Sequence, residues 1–162
     1  DATQPAQKMF DSLIWDRLRG FDPALPVYVE AESKKIGVLR VPDALIDAMW
    51  RSDCVLIEAA VAQRVALLKE EYAHYIAAPA ALLDKIACLK GLHSAAQIDR
   101  WGAQIAAQAW DEFVTELLLK HYDPAYARST LKHYPQLATA QTLRPTALDG
   151  AAYRALARDY LE

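Results

Sequence analysis

The sequence has few of the residues that hold unusual folds together. Its 162 residues include only 2 cysteines, 5 glycines and 8 prolines. Two cysteines are too few for a disulfide scaffold, and so little glycine and proline excludes collagen-like and linker sequences. The apolar share of 54% excludes intrinsic disorder, yet no apolar run approaches the roughly 20 residues of a membrane-spanning helix. We therefore expect a globular, cytoplasmic chain that does not enter a membrane.

Motifs that would identify a catalytic class directly are also missing. The sequence contains no G-x-x-x-x-G-K-[ST] phosphate loop, no G-x-G-x-x-G loop and no G-x-S-x-G elbow. The four histidines lack the spacing of metal ligands, and Cys54 and Cys88 have no second cysteine nearby. Because Cys54 opens an apolar run, we expect an inert thiol there. The net charge of -3 means that any nucleic-acid contact must come from a local patch.

Hydrophobic periodicity predicts alternating helices and strands in the first half of the chain. Apolar residues at helical spacing predict a helix over residues 6–19 and another over residues 43–51, with Asp43 as its N-cap. Short β-branched and aromatic runs predict strands at residues 27–30 and 54–57. A helix follows the second strand directly. This alternation favours an α/β layer with parallel strands.

The second half of the chain is predicted to be almost entirely helical. Pro79 marks a break before a helix over residues 80–89, and Ser94 forms a capping-box pattern ahead of the next helix. The apolar faces at residues 98–105 and 110–118 fit either one long helix or two. The remaining predicted elements are a helix start with Asp123 as N-cap and Pro124 as first residue, a third strand in residues 139–145, and a closing helix over residues 150–161.

Two domains are expected from this change of pattern. Residues 1–78 would form a partial α/β domain, and residues 79–162 a helical extension packed on it. Two or three strands make a poor sheet by themselves, so we expect further strands upstream of this sequence. The four tryptophans fit helix faces, which predicts core positions for all of them: Trp15, Trp50, Trp101 and Trp110.

Charged residues follow both predicted strands. In open parallel sheets ligands bind at the carboxyl ends of strands, and two parallel strands would bring Glu30 and Glu58 to one edge. Paired acids there would hold a divalent metal or orient a basic side chain, and Lys34 and Lys35 would meet a phosphate. The structural alternative is that Glu30 or Glu58 caps the next helix or pairs with Arg64. Arg64 itself would either reach over this edge or lie solvated on its helix.

A second polar and aromatic cluster covers residues 121–129. Tyr122, Tyr126 and His121 would stack on unpaired bases or reach an anion, together with Arg128. The structural alternative is a helix end with its cap and two amphipathic rings. The residues alone do not separate these two interpretations.

Several segments resemble the bacterial tRNA 2-selenouridine synthases. The most specific are E-A-E-S-K-K-I-G at residues 30–37 and H-Y-D-P-x-Y at residues 121–126, and the resemblance extends from the first residues to about Ser129. The family has a rhodanese-like domain with a catalytic cysteine, followed by a P-loop domain. The resemblance implies replacement of sulfur by selenium in the wobble 2-thiouridine of tRNA. Selenophosphate is the selenium donor, and the reaction passes through an S-geranylated intermediate made from geranyl diphosphate.

The resemblance also implies which part of such an enzyme this chain is. Neither Cys54 nor Cys88 matches the rhodanese cysteine, and the phosphate loop is missing. We therefore expect the C-terminal part of a P-loop-type domain, with a parallel sheet of two or three strands, flanking helices and a helix-rich C-terminal half. The upstream rhodanese and phosphate-loop segments would be its partners, and the chain alone would be inactive.

The site residues implied by the resemblance fall into two groups. Lys34 and Lys35 would stabilise the negative charge of a selenophosphate or an allylic diphosphate, and Glu30 or Glu32 would bind a lysine or a metal such as Mg²⁺. The unstacked base of the tRNA anticodon loop would contact Tyr122, Tyr126 and Arg128. The full set expected at the phosphate-binding edge is Glu30, Glu32, Ser33, Lys34, Lys35, Gly37, Glu58 and Arg64.

Two other functions remain open from the sequence. The helix-rich second half and the lack of a complete catalytic constellation fit a non-catalytic helical module that binds RNA or protein. The α/β pattern also fits a remnant of a small-molecule P-loop kinase, which would need a phosphate loop upstream.

Overall fold

A computed structural model describes residues 3–31 and 33–161, so Glu32 lies outside the described residues. The chain is mixed α/β with a helix-rich C-terminal half, as the sequence predicts. The strands are β1 (Lys35–Ile36), β2 (Leu39–Arg40), β3 (Val55–Ile57) and β4 (Gln141–Leu143). The helices are α1 (Gln7–Arg19), α2 (Asp43–Arg51), α3 (Val61–Glu71), α4 (Ala73–Ala77), α5 (Pro79–Ala87), α6 (Ala95–Ala106), α7 (Trp110–Leu117), α8 (Asp123–His133) and α9 (Gly150–Leu161), with a π-helical segment at Leu118–Tyr122 and a 3₁₀ turn at Pro135–Thr139.

The chain folds into two compact units. The first unit contains residues 1–54 and 130–138, and the second contains residues 55–129 and 139–162. The domain division between residues 78 and 79 stays a prediction. Among the described residues, none of the helices combines the length and the apolar character that crossing a membrane requires.

The first unit contains a short antiparallel hairpin, β1–β2. Lys35 lies opposite Arg40, and Gly37 occupies the two-residue turn with φ of 62°. A left-handed φ of this kind favours glycine. A Cβ atom at this position would also lie 2.5 Å from the side-chain Oε1 of Gln4. The bend expected at Gly37 is therefore a tight hairpin turn.

The predicted strand at residues 27–30 is wrong. The segment has no regular secondary structure, and its apolar side chains are exposed: 47% for Val27, 57% for Tyr28 and 50% for Val29. A β-prone run becomes a strand only when another strand lies beside it. Within the part of the chain that the structure describes, no strand pairs with this run.

The second unit contains a parallel pair, β3–β4. Leu56 lies opposite Thr142, and Ile57 opposite Leu143. The predicted strand at residues 54–57 and the weak third strand at residues 139–145 are thus both confirmed, and they are each other's partners. The sequence predicted a parallel pairing between residues 27–30 and 54–57. This prediction is wrong, because residues 55–57 pair with residues 141–143.

Helix predictions are confirmed at most positions. The helices expected over residues 6–19, 43–51, 80–89 and 150–161 all form, and the two apolar faces after Ser94 belong to separate helices, α6 and α7. Between them Gln108 takes a left-handed φ of 56°, which breaks the helix. The Ser94 Oγ accepts the N–H of Gln97, which is one half of the predicted capping box. The Gln97 side chain bonds Glu116 and Lys120 instead of completing the box. Asp43 is not an N-cap, since it already lies in the first turn of α2.

The core of the second unit packs α5, α6 and α7 together. Its centre is Trp101, which is 0% exposed, and the other buried members are Ile86, Ile98, Ile105 and Phe113. Trp110 packs against this cluster. The core position predicted for Trp15 is wrong, because this side chain on α1 is 61% exposed with the Arg19 guanidinium 4.6 Å from its ring.

Candidate functional site

The β1–β2 hairpin concentrates positive charge. We call residues 34–40 the cationic hairpin, because Lys34, Lys35 and Arg40 are all exposed on it. Lys35 and Arg40 lie directly opposite each other, and like charges in that position destabilise an antiparallel pair. Within residues 3–31 and 33–161, none of the three cations has a carboxylate within ion-pair distance. The hairpin is therefore suited to bind an anion.

Hydrogen bonds from three polar side chains to the backbone hold the cationic hairpin in place. Ser33 Oγ accepts the backbone N–H of Lys35 at 3.1 Å. Gln4 donates to the carbonyl of residue 36 at 2.9 Å and accepts the N–H of residue 38 at 3.0 Å. Gln7 forms the same two kinds of bond with the backbone of Arg40, at 2.8 and 2.9 Å. Each glutamine amide thus bonds one carbonyl and one N–H of the hairpin backbone, as a neighbouring strand would.

Sequence reasoning found the two lysines of the hairpin but missed Arg40, Gln4 and Gln7. A two-residue turn beginning at Gly37 would place residue 40 opposite residue 35, so the turn was the signal for Arg40. The glutamines have no comparable signal, because their partners are backbone atoms more than thirty positions along the chain.

Glu30 and Glu58 were expected at one sheet edge, but this expectation required a strand at residues 27–30, and that strand does not form. Glu30 lies exposed in a segment without regular structure in the first unit, and it does not end a strand. Glu58 follows β3 in the second unit. The role of Glu30 as a partner of a metal or a lysine stays a prediction, and Glu32 lies outside the described residues.

An ion pair joins the carboxyl ends of β3 and β4. Glu58 follows β3 and Arg144 follows β4, and the Glu58 Oε2 atom lies 2.5 Å from the Arg144 Nη2 atom. Glu58 therefore neither pairs with Arg64 nor caps α3. Gln63 takes the capping role instead: its Oε1 accepts the N–H of Ala60, and its Nε2 donates to the carbonyl of Thr146.

Arg64 pairs with Asp123 through two hydrogen bonds. Nη1 donates to Oδ2 at 3.0 Å and Nη2 donates to Oδ1 at 2.6 Å. The two side chains are 32% and 35% exposed. The hydrogen bond to Asp123 raises the pKa of Arg64 against the opposing effect of burial. Arg64 is thus neither fully solvated on its helix nor paired with Glu58. It pairs instead with a residue 59 positions away, in the H-Y-D-P-x-Y segment.

A π-helical turn at Leu118–Tyr122 sets the orientation of the H-Y-D-P-x-Y segment. Pro124 has no N–H, and its ring would clash with the carbonyl of Lys120 in a regular α-helix. The helix widens before the proline, so that the N–H of Asp123 bonds the carbonyl of Leu118, five residues back. The predicted N-cap at Asp123 is therefore wrong: Asp123 has helical dihedrals, and the helical run continues through it. This leaves its carboxylate for Arg64.

The same turn brings His121 to His93. The Nδ1 of His121 lies 3.0 Å from the Nε2 of His93, whose ring packs edge-on against Trp101. Burial lowers the pKa of His121, and the electrostatic interaction with His93 lowers it further. The neutral form of this half-buried imidazole is therefore favoured, and the role of His121 in stacking on bases or reaching an anion stays a prediction.

The other residues expected to contact RNA are on the surface. Tyr122, Tyr126 and Arg128 are exposed, and the two tyrosines lie four residues apart on one helical run. Their role in RNA binding stays a prediction. In the described part of the chain, the structure brings together no group of three or more carboxylate, imidazole or thiol side chains that would hold a metal ion.

The fold and these residues define an α/β protein with a helix-rich C-terminal half and an exposed cationic hairpin. Comparison with protein families identifies it further. The sequence model of the family described as the tRNA 2-selenouridine synthase AAA domain matches residues 1–98 of the 162. The chain belongs to this family of tRNA-modifying enzymes. The search of curated proteins and the search of solved structures both found no match.

Proposed function

We propose that the chain is part of a cytoplasmic enzyme that replaces sulfur by selenium in the wobble 2-thiouridine of tRNA. Its substrates would be selenophosphate and geranyl diphosphate, with an S-geranylated tRNA as the intermediate. The observation that carries this proposal is the family match over residues 1–98, which includes the cationic hairpin and Arg64. Family membership favours this reaction over that of a small-molecule kinase.

The cationic hairpin would bind the anionic part of a substrate. Both selenophosphate and an allylic diphosphate carry clustered negative charge, and transfer of the selenium or geranyl group leaves that charge on phosphate or diphosphate. Lys34, Lys35 and Arg40 present cations on a hairpin whose backbone is already fixed, so little reorganisation is needed as this charge develops. Mg²⁺ stays a prediction, and no step here depends on it.

The proposed partners within the same protein are an upstream rhodanese segment and an upstream phosphate loop. These would supply the catalytic cysteine and the phosphate cradle that this sequence lacks. The exposed apolar run Val27, Tyr28 and Val29 supports such a partner, since a segment apolar on both faces is typical of a strand inside a parallel sheet. A strand from upstream would cover it.

The proposed external partner is the tRNA anticodon loop. Unstacked bases are commonly bound by aromatic rings and arginine side chains. The exposed rings of Tyr122 and Tyr126, with Arg128 on the same helical run, fit that kind of contact. The helical second half would then position the tRNA for the reaction.

The test of this proposal is the double variant Lys34→Ala/Lys35→Ala in the complete enzyme. We expect conversion of 2-thiouridine in tRNA to slow by about tenfold or more, because removed cations no longer stabilise the departing anion. Nucleoside mass spectrometry measures the product. The matched control is Lys85→Ala/Lys90→Ala, which removes two exposed lysines elsewhere in the chain. Equal turnover in both double variants would refute the anion-binding role of the hairpin.

A further inference from the structure

Asp123 fixes the orientation of the Arg64 guanidinium. Its two carboxylate oxygens accept from both terminal nitrogens, at 2.6 and 3.0 Å. Such a two-point contact sets the plane of the guanidinium as well as its position. It uses only part of the donor capacity of the arginine, so other N–H groups remain for a ligand.

The position of Arg64 suits an anion site at the end of the parallel strands. Arg64 lies in the second turn of α3, the helix that follows β3. Ligands of open α/β sheets bind outside the carboxyl ends of the strands. Both segments that border this end are fixed, one by the Glu58–Arg144 pair and the other by the bond from Gln63 to Thr146. Arg64 is thus a cation on the helix that follows β3, and Asp123 holds it in place.

We infer that Asp123 is a positioning residue, which holds Arg64 ready to bind the phosphate or diphosphate group of a substrate. This inference rests on the proposed function. A free arginine side chain loses rotamer freedom when it binds an anion, and Asp123 removes much of that cost in advance. The π-helical turn before Pro124 serves this arrangement, since it lets Asp123 point to Arg64 within a continuous helical run.

The sign of the effect separates positioning from simple charge neutralisation. Asp123 is itself negative, so its electrostatic effect on a bound anion is repulsive. If Asp123 only neutralises Arg64, Asp123→Asn should tighten anion binding. If Asp123 positions Arg64, the same change should weaken binding despite the lost repulsion. Asp123→Glu adds a second test, because it keeps the charge and moves the carboxylate by one methylene.

The experiment titrates inorganic pyrophosphate into the full chain by calorimetry at fixed pH and ionic strength. We expect Asp123→Asn and Asp123→Glu to weaken binding by about tenfold or more, since small misplacements of a binding group are costly. Arg64→Gln should weaken it at least as much. The matched control is Asp111→Asn, which breaks the pair between Lys69 of α3 and Asp111 of α7 and should leave affinity unchanged. Urea unfolding of each variant shows whether it is folded. If Asp123→Asn does not fold, Asp123→Glu alone carries the test.

The outcomes distinguish this inference from the proposed function. If Arg64→Gln weakens binding but the Asp123 variants bind as tightly as the unchanged chain or more tightly, the positioning role is wrong and the anion site stands. If Arg64→Gln has no effect, or the unchanged chain does not bind pyrophosphate, the anion-binding role of Arg64 is wrong and the inference falls with it.

Discussion

At the scale of single residues, side chains with the same sequence pattern differ in how deeply they are buried. Trp15 and Trp101 both lie on amphipathic helices, and periodicity predicted a core position for each. Trp101 is completely buried in the α5–α6–α7 cluster, whereas Trp15 lies on the surface of α1 beside Arg19. The difference arises because a helix face is buried only where another element packs against it.

Replacing the two tryptophans should therefore have different effects on stability. Trp101→Ala leaves a large cavity at the centre of the core, and we expect the free energy of unfolding to fall by about 3–5 kcal/mol. Trp15→Ala removes a surface contact and should change it by about 0.5 kcal/mol or less. Urea denaturation of both variants measures the difference. Similar losses in the two variants would contradict the burial seen here.

At the scale of helices, one carboxylate connects three segments. Glu116 on α7 accepts hydrogen bonds from Gln97 on α6 and from Lys120 in the π-helical segment, and it pairs with Arg100 of α6 at 2.5 Å. Burial raises the pKa of Glu116, but the bonds from Lys120 and Gln97 and the charge of Arg100 outweigh it and lower the pKa to about 2. The ionised carboxylate thus holds these segments together.

This network should make stability depend on pH. The folded pKa of about 2 lies below the ordinary value of 4.5, so the stabilisation is complete above pH 4.5 and is lost as the pH falls towards 2. We expect Glu116→Gln to lower the free energy of unfolding at pH 7 by about 1–2 kcal/mol. The gap to the unchanged chain should narrow below pH 4.5. Urea titrations at pH 7, 5 and 3 measure it, with exposed Glu112→Gln on the same helix as control. A constant gap across these pH values would argue against the network.

At the scale of the whole molecule, charge is local rather than global. The net charge of -3 excludes a general attraction to nucleic acid. Positive charge is instead concentrated at the cationic hairpin, because the arginines near β3, Arg64 and Arg144, are paired with carboxylates. Aromatic rings are exposed at Tyr122 and Tyr126. The chain therefore presents an exposed cationic hairpin, but its sequence contains no phosphate loop.

This combination predicts binding without turnover for the 162-residue chain assayed alone. We expect it to bind tRNA with an affinity that falls steeply with salt, because cations on the protein displace counterions from the phosphates. With selenophosphate and geranyl diphosphate present, 2-thiouridine should remain unconverted. Filter binding and nucleoside mass spectrometry measure the two properties. Turnover near that of the complete enzyme would contradict the proposed division of labour. If the chain binds tRNA and an enzyme from which these residues are deleted keeps full activity, a non-catalytic module is favoured instead.

Local patterns were sufficient for most of the secondary structure. The helices at α1, α2, α5 and α9 and the strands β3 and β4 follow from spacing, capping residues and proline positions. The cationic hairpin was only partly predictable: its lysines stand next to each other in the sequence, but Arg40 joins them through the turn at Gly37. The strand at residues 27–30 failed because β-propensity does not supply a partner strand.

The sequence by itself determined what depends on neighbouring residues: the helical periods, the Ser94 cap, the adjacent lysines and the family to which the chain belongs. The tertiary structure alone decided which distant residues meet. Arg64 and Asp123 are 59 positions apart, and neither has a local signal for its partner. Their pairing needs the helical turn that Pro124 widens and the packing of the second unit around it. The partner of such a side chain depends on which elements pack together, and that packing depends on the whole chain.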